Sequence, residues 1–255
     1  MKNTSNTYVI PLGVAAALAD AYHANSYLAV VREGRYWLVD CADAPIGRLE
    51  RAGIDPRALQ GLILTHFHPD HVYGLPNYLL GLYLLDYEEV GEVCIYARPE
   101  VLERARSMVA LFEGQGWIEQ IPFEFVPVEP EVGALVTESE DFRITVAPSC
   151  HSIPSLAVRF ESLQSGRVFV YSSDTAVCSE VEQLTRGAEL LFHEATGEGH
   201  GHADPVEVGA MADQLGVARL VLIHYDPHEA DEILAAARKT FPEAELAREF
   251  ARYSL

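Results

Sequence analysis

Short blocks rich in β-branched and aromatic residues mark the first part of the chain, at 26–31, 36–40 and 62–65. Blocks of this kind bounded by turn residues predict strands, and Gly34 between the first two predicts a hairpin. Residues 44–53 predict a helix that runs into a turn at Ile54, Asp55 and Pro56, and a second helix starts near Pro76 and continues through 78–85. Residues 91–97 predict a strand, and 99–112 have helical spacing, with Val101, Met108, Val109 and Phe112 on the apolar side. Strands follow at 123–128, 142–147, 156–160 and 167–171. The last third alternates: helix 177–186, strand 190–192, helix 205–215, strand 219–223, helix 229–241. The acidic stretch 229–245 reads as a solvated helical face, and residues 1–11 as one Lys followed by polar residues. No repeat or Gly/Ser/Pro linker interrupts this order, so residues 1–255 are expected to form one α/β domain. It would hold packed sheets with helices outside, or two similar halves sharing one core.

Composition narrows the function classes. The chain has 255 residues, 49% hydrophobic and 22% charged, which excludes disorder, collagen and a disulfide-stapled miniprotein. Lys plus Arg is 18 against 38 for Asp plus Glu, a formal charge of −20. Gripping long nucleic acid by its phosphates needs a Lys/Arg footprint, so a long nucleic-acid partner is not expected. Small substrates are easier to reconcile with such a field, and a local metal charge can reverse its sign inside a cleft. No apolar run approaches the roughly 20 residues that span a bilayer, and residues 1–11 lack the apolar core of a signal peptide. Cys41, Cys94, Cys150 and Cys178 are dispersed without a CxxC pair. A cytoplasmic protein with reduced thiols is therefore expected, with neither disulfides nor a separate structural zinc site.

Histidine placement carries the chemistry. Thr65-His66-Phe67-His68-Pro69-Asp70-His71 follows directly on an apolar strand. His66 and His68 are two apart, so in extended chain their side chains point the same way. One short stretch thus offers three imidazoles and a carboxylate, the N and O donors that a borderline divalent metal prefers. With 10 His in 255 residues, chance alone meets this pattern roughly once in a thousand such chains. His151, Asp174 and His224 each stand at the end of a later apolar strand, as expected of a site built by loops over a sheet. Each of these three, taken alone, reads equally well as a capping or core residue.

The order His-x-His-x-Asp-His, a later His, a lone Asp and a last His resembles the metallo-β-lactamase superfamily. The run from Thr65 to Pro76 is similar to the corresponding segment of ribonuclease Z and its relatives. Ser172-Ser173-Asp174-Thr175 resembles their bridging-Asp strand, and His193-Glu194-Ala195-Thr196 matches their HEAT tetrad. The resemblance covers roughly residues 8–227 and implies a four-layer αββα sandwich. It implies that His66, His68 and His151 hold one divalent metal, Asp70, His71 and His224 a second, and Asp174 both, with a bridging hydroxide as nucleophile. Asp70 would position or deprotonate the attacking water, and His202 would act as the catalytic acid. Zinc suits the His-rich first site; the Asp-rich second site also suits manganese or iron. His193 and Glu194 are expected to support ligands rather than be ligands. His200, His23 and His228 read as surface or packing residues, and Cys150 as a small buried apolar residue beside His151.

Two metals about 3.5–4 Å apart can clamp the attacking and leaving oxygens of a phosphodiester, and imidazole titrates near operating pH. Ribonuclease Z carries a long basic arm between its third-motif His and bridging Asp. Here residues 151–174 hold only a strand, a turn at Ser165-Gly166 and another strand, leaving no room for a tRNA-binding arm. The expected activity is therefore a dinuclear-metal phosphodiesterase acting on small phosphodiesters. A ribonuclease Z-like tRNA 3′-end endonuclease and a lactonase or thioester hydrolase of the same superfamily are the alternatives. The latter need no His at position 202. Residues 78–124 read as a core helix followed by a mixed-charge unit, in which Arg98, Arg104 and Arg106 alternate with Glu100, Glu103 and Glu113. The same apolar stretch is the candidate surface for a homodimer.

Overall fold

The computed structural model describes residues 7–85, 93–112, 123–197 and 199–255. The first half of the chain runs β1 (Thr7–Gly13), β2 (Tyr27–Arg32), β3 (Arg35–Val39), α1 (Pro45–Arg51), β4 (Leu59–Ile63), α2 (Pro69–Val72), α3 (Leu75–Leu84), β5 (Val93–Ala97), α4 (Pro99–Phe112) and β6 (Phe123–Pro127). The second half runs β7 (Ala134–Glu138), β8 (Phe142–Ser149), β9 (Ser155–Ser162), β10 (Val168–Tyr171), α5 (Ser179–Thr185), β11 (Leu190–Glu194), α6 (Pro205–Gln214), β12 (Arg219–Ile223), α7 (Ala230–Ala237), β13 (Glu245–Leu246) and β14 (Tyr253–Ser254).

These strands make two seven-stranded sheets, ordered β14-β1-β2-β3-β4-β5-β6 and β13-β12-β11-β10-β9-β8-β7. Each sheet is antiparallel on one side and parallel on the other: β3 through β6 are parallel in the first, β10 through β13 in the second. The strand period of two explains the layering. Leu28, Val30, Trp37 and Val39 of β2 and β3 face the second sheet, where Trp37 meets Phe160 edge-on at 6.4 Å. Their neighbours Tyr27, Ala29, Val31, Tyr36 and Leu38 face the other way, onto Leu49 of α1, Tyr78, Leu79 and Leu82 of α3, and Val101 and Val109 of α4. On the far side, Val181 and Leu184 of α5, Val208 and Met211 of α6 and Ile233 of α7 cover the second sheet. The inner strands of each sheet are buried on both faces, which is why they read as near-continuous apolar runs rather than alternating ones. The result is the α/β, four-layer αββα sandwich expected from the sequence.

The structure departs from the sequence reading in four places. Residues 7–13 overlap the segment 1–11 read as polar, yet form β1, which is buried between β2 and β14 and carries a register shift between Pro11 and Gly13. The helix expected over 229–241 stops at Ala237, and Glu245–Leu246 adds a short edge strand in place of a helical face. Phe112 is 67% exposed at the end of α4, where the helix has run past the sheet, while Leu102 and Ala105 take the buried positions. The hairpin strand β7 has a pattern too mixed in burial to read as apolar. The strand start expected at Gly91 and the charge at Glu113 lie outside the described residues. Among the described residues no helix is long and apolar enough to cross a membrane.

Candidate metal centre

Six strands deliver their carboxyl ends to one edge of the sandwich. From the first sheet, β3 leads to Asp40 and β4 into the extended segment 64–68. From the second, β8 leads to His151, β10 to Asp174, β11 ends at Glu194, and β12 leads to His224. The backbone NH of Leu156 donates to the Thr65 carbonyl at 3.1 Å, which ties the two sheets together beside the site. Asp40, Ser173 and His224 have φ of 63°, 52° and 52°, the left-handed region that L residues avoid. Such strain, about 1–3 kcal/mol at each residue, is held only where the surroundings enforce it, and it recurs at functional sites. Here it bends three strand ends into the same place.

Seven side chains converge there in two groups. His66 Nε2 and His151 Nε2 lie 3.2 and 3.1 Å from His68 Nδ1, and 3.7 and 3.8 Å from Asp174 Oδ2. In the second group, His71 Nε2 and His224 Nε2 each lie 3.4 Å from Asp174 Oδ1, and 3.5 and 3.4 Å from Asp70 Oδ2. A tetrahedral ion with bonds of about 2.0–2.1 Å has ligand–ligand edges of roughly 3.3–3.4 Å, so both spacings suit one ion per group. Asp174, 2% exposed, turns one oxygen toward each.

The surroundings leave the inner atoms as acceptors. His71 Nδ1 donates to Asp40 Oδ2 at 2.9 Å, His66 Nδ1 to Thr65 Oγ1 at 3.0 Å, His151 Nδ1 to the Gly201 carbonyl at 3.0 Å, and His224 Nδ1 to Thr196 Oγ1 at 2.8 Å. Each bond fixes the tautomer whose Nε2 lone pair points inward, as in carboxylate–histidine–metal arrangements. His71 Nε2 and Asp174 Oδ1 are buried with no hydrogen-bond partner, an arrangement that an ion would complete. Burial and the neighbouring His71 hold His66 well below the usual imidazole range. Burial opposes ionisation of Asp174, yet His224 and His71 hold it well below the usual carboxylate range. Burial opposes protonation of His71, yet Asp174 and Asp40 hold it well above the usual imidazole range, so a divalent cation binding there would displace its proton. The residues therefore fit two divalent cations.

Beside the groups lies His202, its ring centroid 4.9 Å from that of His151 and 5.7 Å from that of His224. Its Nδ1 donates to Glu194 Oε1 at 2.8 Å. Buried Glu194 also accepts the backbone NH groups of Thr175 and Thr196, so it is fixed from three directions. The bond to Glu194 raises the His202 pKa against partial burial. Gly201 is required next to it: with φ +83°, a Cβ there would stand 2.8 Å from the His151 backbone. A cleft of about 460 Å³ opens over the groups, walled by Ala17, Leu18 and Pro69 and rimmed by Asp226 and Glu229.

The structure thus brings together His66, His68, Asp70, His71, His151, Asp174, His202, His224 and Glu194. It does not bring His193, which points to the opposite face of β11, as adjacent strand residues do; its Nδ1 bonds to the Glu194 carbonyl. His200 and His228 are exposed, and His23 pairs with Asp20. Arg98 pairs with Glu100, while Arg104 and Arg106 lie over Phe67 and Phe125, so none of the three reaches the cleft. Sequence reasoning missed Asp40, Thr65 and Thr196 as supports. The signal for Asp40 was present, because it is a carboxylate at the carboxyl end of an apolar strand, like Asp174. Asp40→Asn should weaken the affinity of the Asp70/His71/His224 group for its ion about 10–100-fold, measured by chelator competition.

The family model described as Anti-Pycsar protein Apyc1 matches residues 7–246. The chain belongs to the Anti-Pycsar protein Apyc1 family. A ribonuclease Z from Methanothermobacter thermautotrophicus is 27% identical to this Apyc1-family chain over 292 positions, covering 92% of each. Human tRNase Z, short form, superposes with a TM-score of 0.81 at 22% identity, covering 97% of this chain and 98% of its own. The metallo-beta-lactamase fold protein YhfI from Bacillus subtilis gives 0.82 at 20%, covering 98% and 99%. This Apyc1-family chain accordingly resembles ribonuclease Z relatives along most of its length and shares the metallo-β-lactamase fold of YhfI. The ribonuclease relatives run against the expectation, drawn from net charge, that long nucleic acid is no partner.

Proposed function

We propose that the protein is a phosphodiesterase of small phosphodiesters. The observation that carries this reading is the Glu194-held His202 standing against both groups of metal-binding side chains. In it, His66, His68 and His151 hold one divalent ion, Asp70, His71 and His224 the other, and Asp174 contributes an oxygen to each. Divalent ions bound there supply an acidified water and positive charge for the phosphoryl oxygens. The chain's own residues do the rest. Asp70, which lines the cleft, orients the attacking water and takes its proton. Glu194 occupies Nδ1 of His202, so the proton for the leaving oxygen sits on Nε2. An alkoxide leaving a phosphodiester needs such an acid, whereas a thioester's thiolate leaves without one and acyl transfer from a lactone leans chiefly on oxyanion stabilisation.

Substrate size is argued from what is short. β9 and β10 are joined by residues 163–167 alone, where the sequence resemblance expects an RNA-gripping arm. The alignment with the Methanothermobacter relative spans 292 positions but covers 92% of the 255 residues here, about 235, so about 57 positions have no counterpart in this chain. The acidic rim at Asp226 and Glu229 and the charge of −20 repel additional phosphates. The names of the ribonuclease Z relatives favour a second reading, cleavage of RNA near a 3′ end. The two readings separate in one panel of bis-p-nitrophenyl phosphate, a tRNA precursor with a 3′ trailer, a lactone and a thioester. Turnover of the small diester with the precursor intact supports the proposal. Cleavage of the precursor alone overturns the substrate class, and turnover of only the lactone or thioester overturns the reaction class.

A further inference from the structure

Cys150 and Cys178 are 28 positions apart, and the sequence alone gives them no common role. The fold brings them together. Cys150 pairs with Ala176 in an isolated antiparallel bridge, and its backbone NH donates to Thr175 Oγ1 at 3.0 Å. Cys178 Sγ lies 3.7 Å from the same Thr175 hydroxyl. The two sulfurs and a carboxylate oxygen of Glu180 all lie within 4.8 Å of one another. Cys150 is exposed, not the small buried apolar residue the sequence suggested, because β8 has ended and its side chain faces outward beside α5. The Ser179 hydroxyl donates to Glu180 Oε2 at 2.9 Å and keeps this carboxyl below its usual range.

We propose that Cys150, Cys178 and Glu180 form a third metal site, distinct from the cluster around Asp174, that takes one thiophilic divalent cation such as zinc. Two thiolates and a carboxylate are three donors of a tetrahedral zinc site, with water as the fourth. Soft sulfur ligands set this site apart from the all-N/O groups around Asp174 and favour zinc or cadmium over manganese and magnesium. The position gives the site a consequence. Cys150 adjoins His151 and Thr175 adjoins Asp174, so an ion here ties together the two segments that deliver those residues to the cluster.

Sulfur provides the test. None of the seven clustered residues is a cysteine, so sulfur-to-metal charge-transfer absorption is silent for that cluster. The whole protein, first saturated with zinc and kept in a phosphine reductant so that its thiols are free, is titrated with cadmium. The expected result is a saturable thiolate band with one equivalent, and a metal count near three per chain by mass spectrometry. Cys150→Ser and Cys178→Ser each abolish the band and lower the count to about two, while Cys94→Ser keeps both. Retention of the two remaining ions shows that the serine variants are folded. Absence of the band in the wild type, or its survival in both serine variants, overturns the proposal. So does a count that stays near two in a wild type with titratable thiols.

Discussion

Asp174→Ala is expected to abolish the binding of both ions and to reduce kcat/KM on a small diester by at least about 10³-fold, more than the loss of a single oxyanion donor. The expectation rests on one buried carboxylate facing two groups, Oδ2 toward His66 and His151 and Oδ1 toward His71 and His224. Replacing a residue that belongs to only one group, such as His68, should spare the other ion. The loss in Asp174→Ala should also be visible without activity. An ion that binds only the folded state stabilises it by about 2.7 kcal/mol at a concentration 100 times its Kd. Wild type should therefore gain clearly more Tm than Asp174→Ala when zinc is added to chelated protein. A variant that keeps two ions would contradict the shared-carboxylate account.

His202→Ala is expected to lower kcat on a poorly activated diester by about 10²–10⁴-fold, the usual contribution of a positioned acid, with both ions still bound. The loss should shrink for a p-nitrophenolate leaving group, which needs little help from a proton. Glu194→Gln tests the same pair through pH. The Glu194 carboxylate raises the His202 pKa, and the acid works only while protonated, so activity falls as pH rises through that value. Removing the carboxylate's charge lowers the pKa and moves this basic limb to lower pH. Equal losses for good and poor leaving groups, or an unmoved limb, would remove His202 from the role of acid.

Much of this architecture was legible because burial and chemistry left separate marks on the sequence. Strands buried on both faces, such as 219–223, and amphipathic α4 coincide with their expected spans, since an apolar run bounded by turn residues has few other uses. The site was legible for a different reason: a metal demands particular donor atoms, and His66, His68, Asp70 and His71 crowd into one short segment. What failed was whatever depends on partners distant in sequence. β1 and β14 define each other across nearly the whole chain, and no local pattern announces that pairing. Asp40 supports His71 from another strand, and the side chain of Cys150 meets Cys178 only once β8 and the start of α5 are side by side. His193 shows the converse error. Adjacent to Glu194 in sequence, it shares a motif with it but not a face of β11.

The most direct test of the central claim is to strip the protein with chelator, restore zinc stepwise, and follow both bound metal and hydrolysis of bis-p-nitrophenyl phosphate. The account predicts that turnover rises with metal content and reaches its plateau only when the His66/His68/His151 and Asp70/His71/His224 groups are both filled. Full turnover with one ion or none, or no turnover of a phosphodiester with both groups filled, would contradict it.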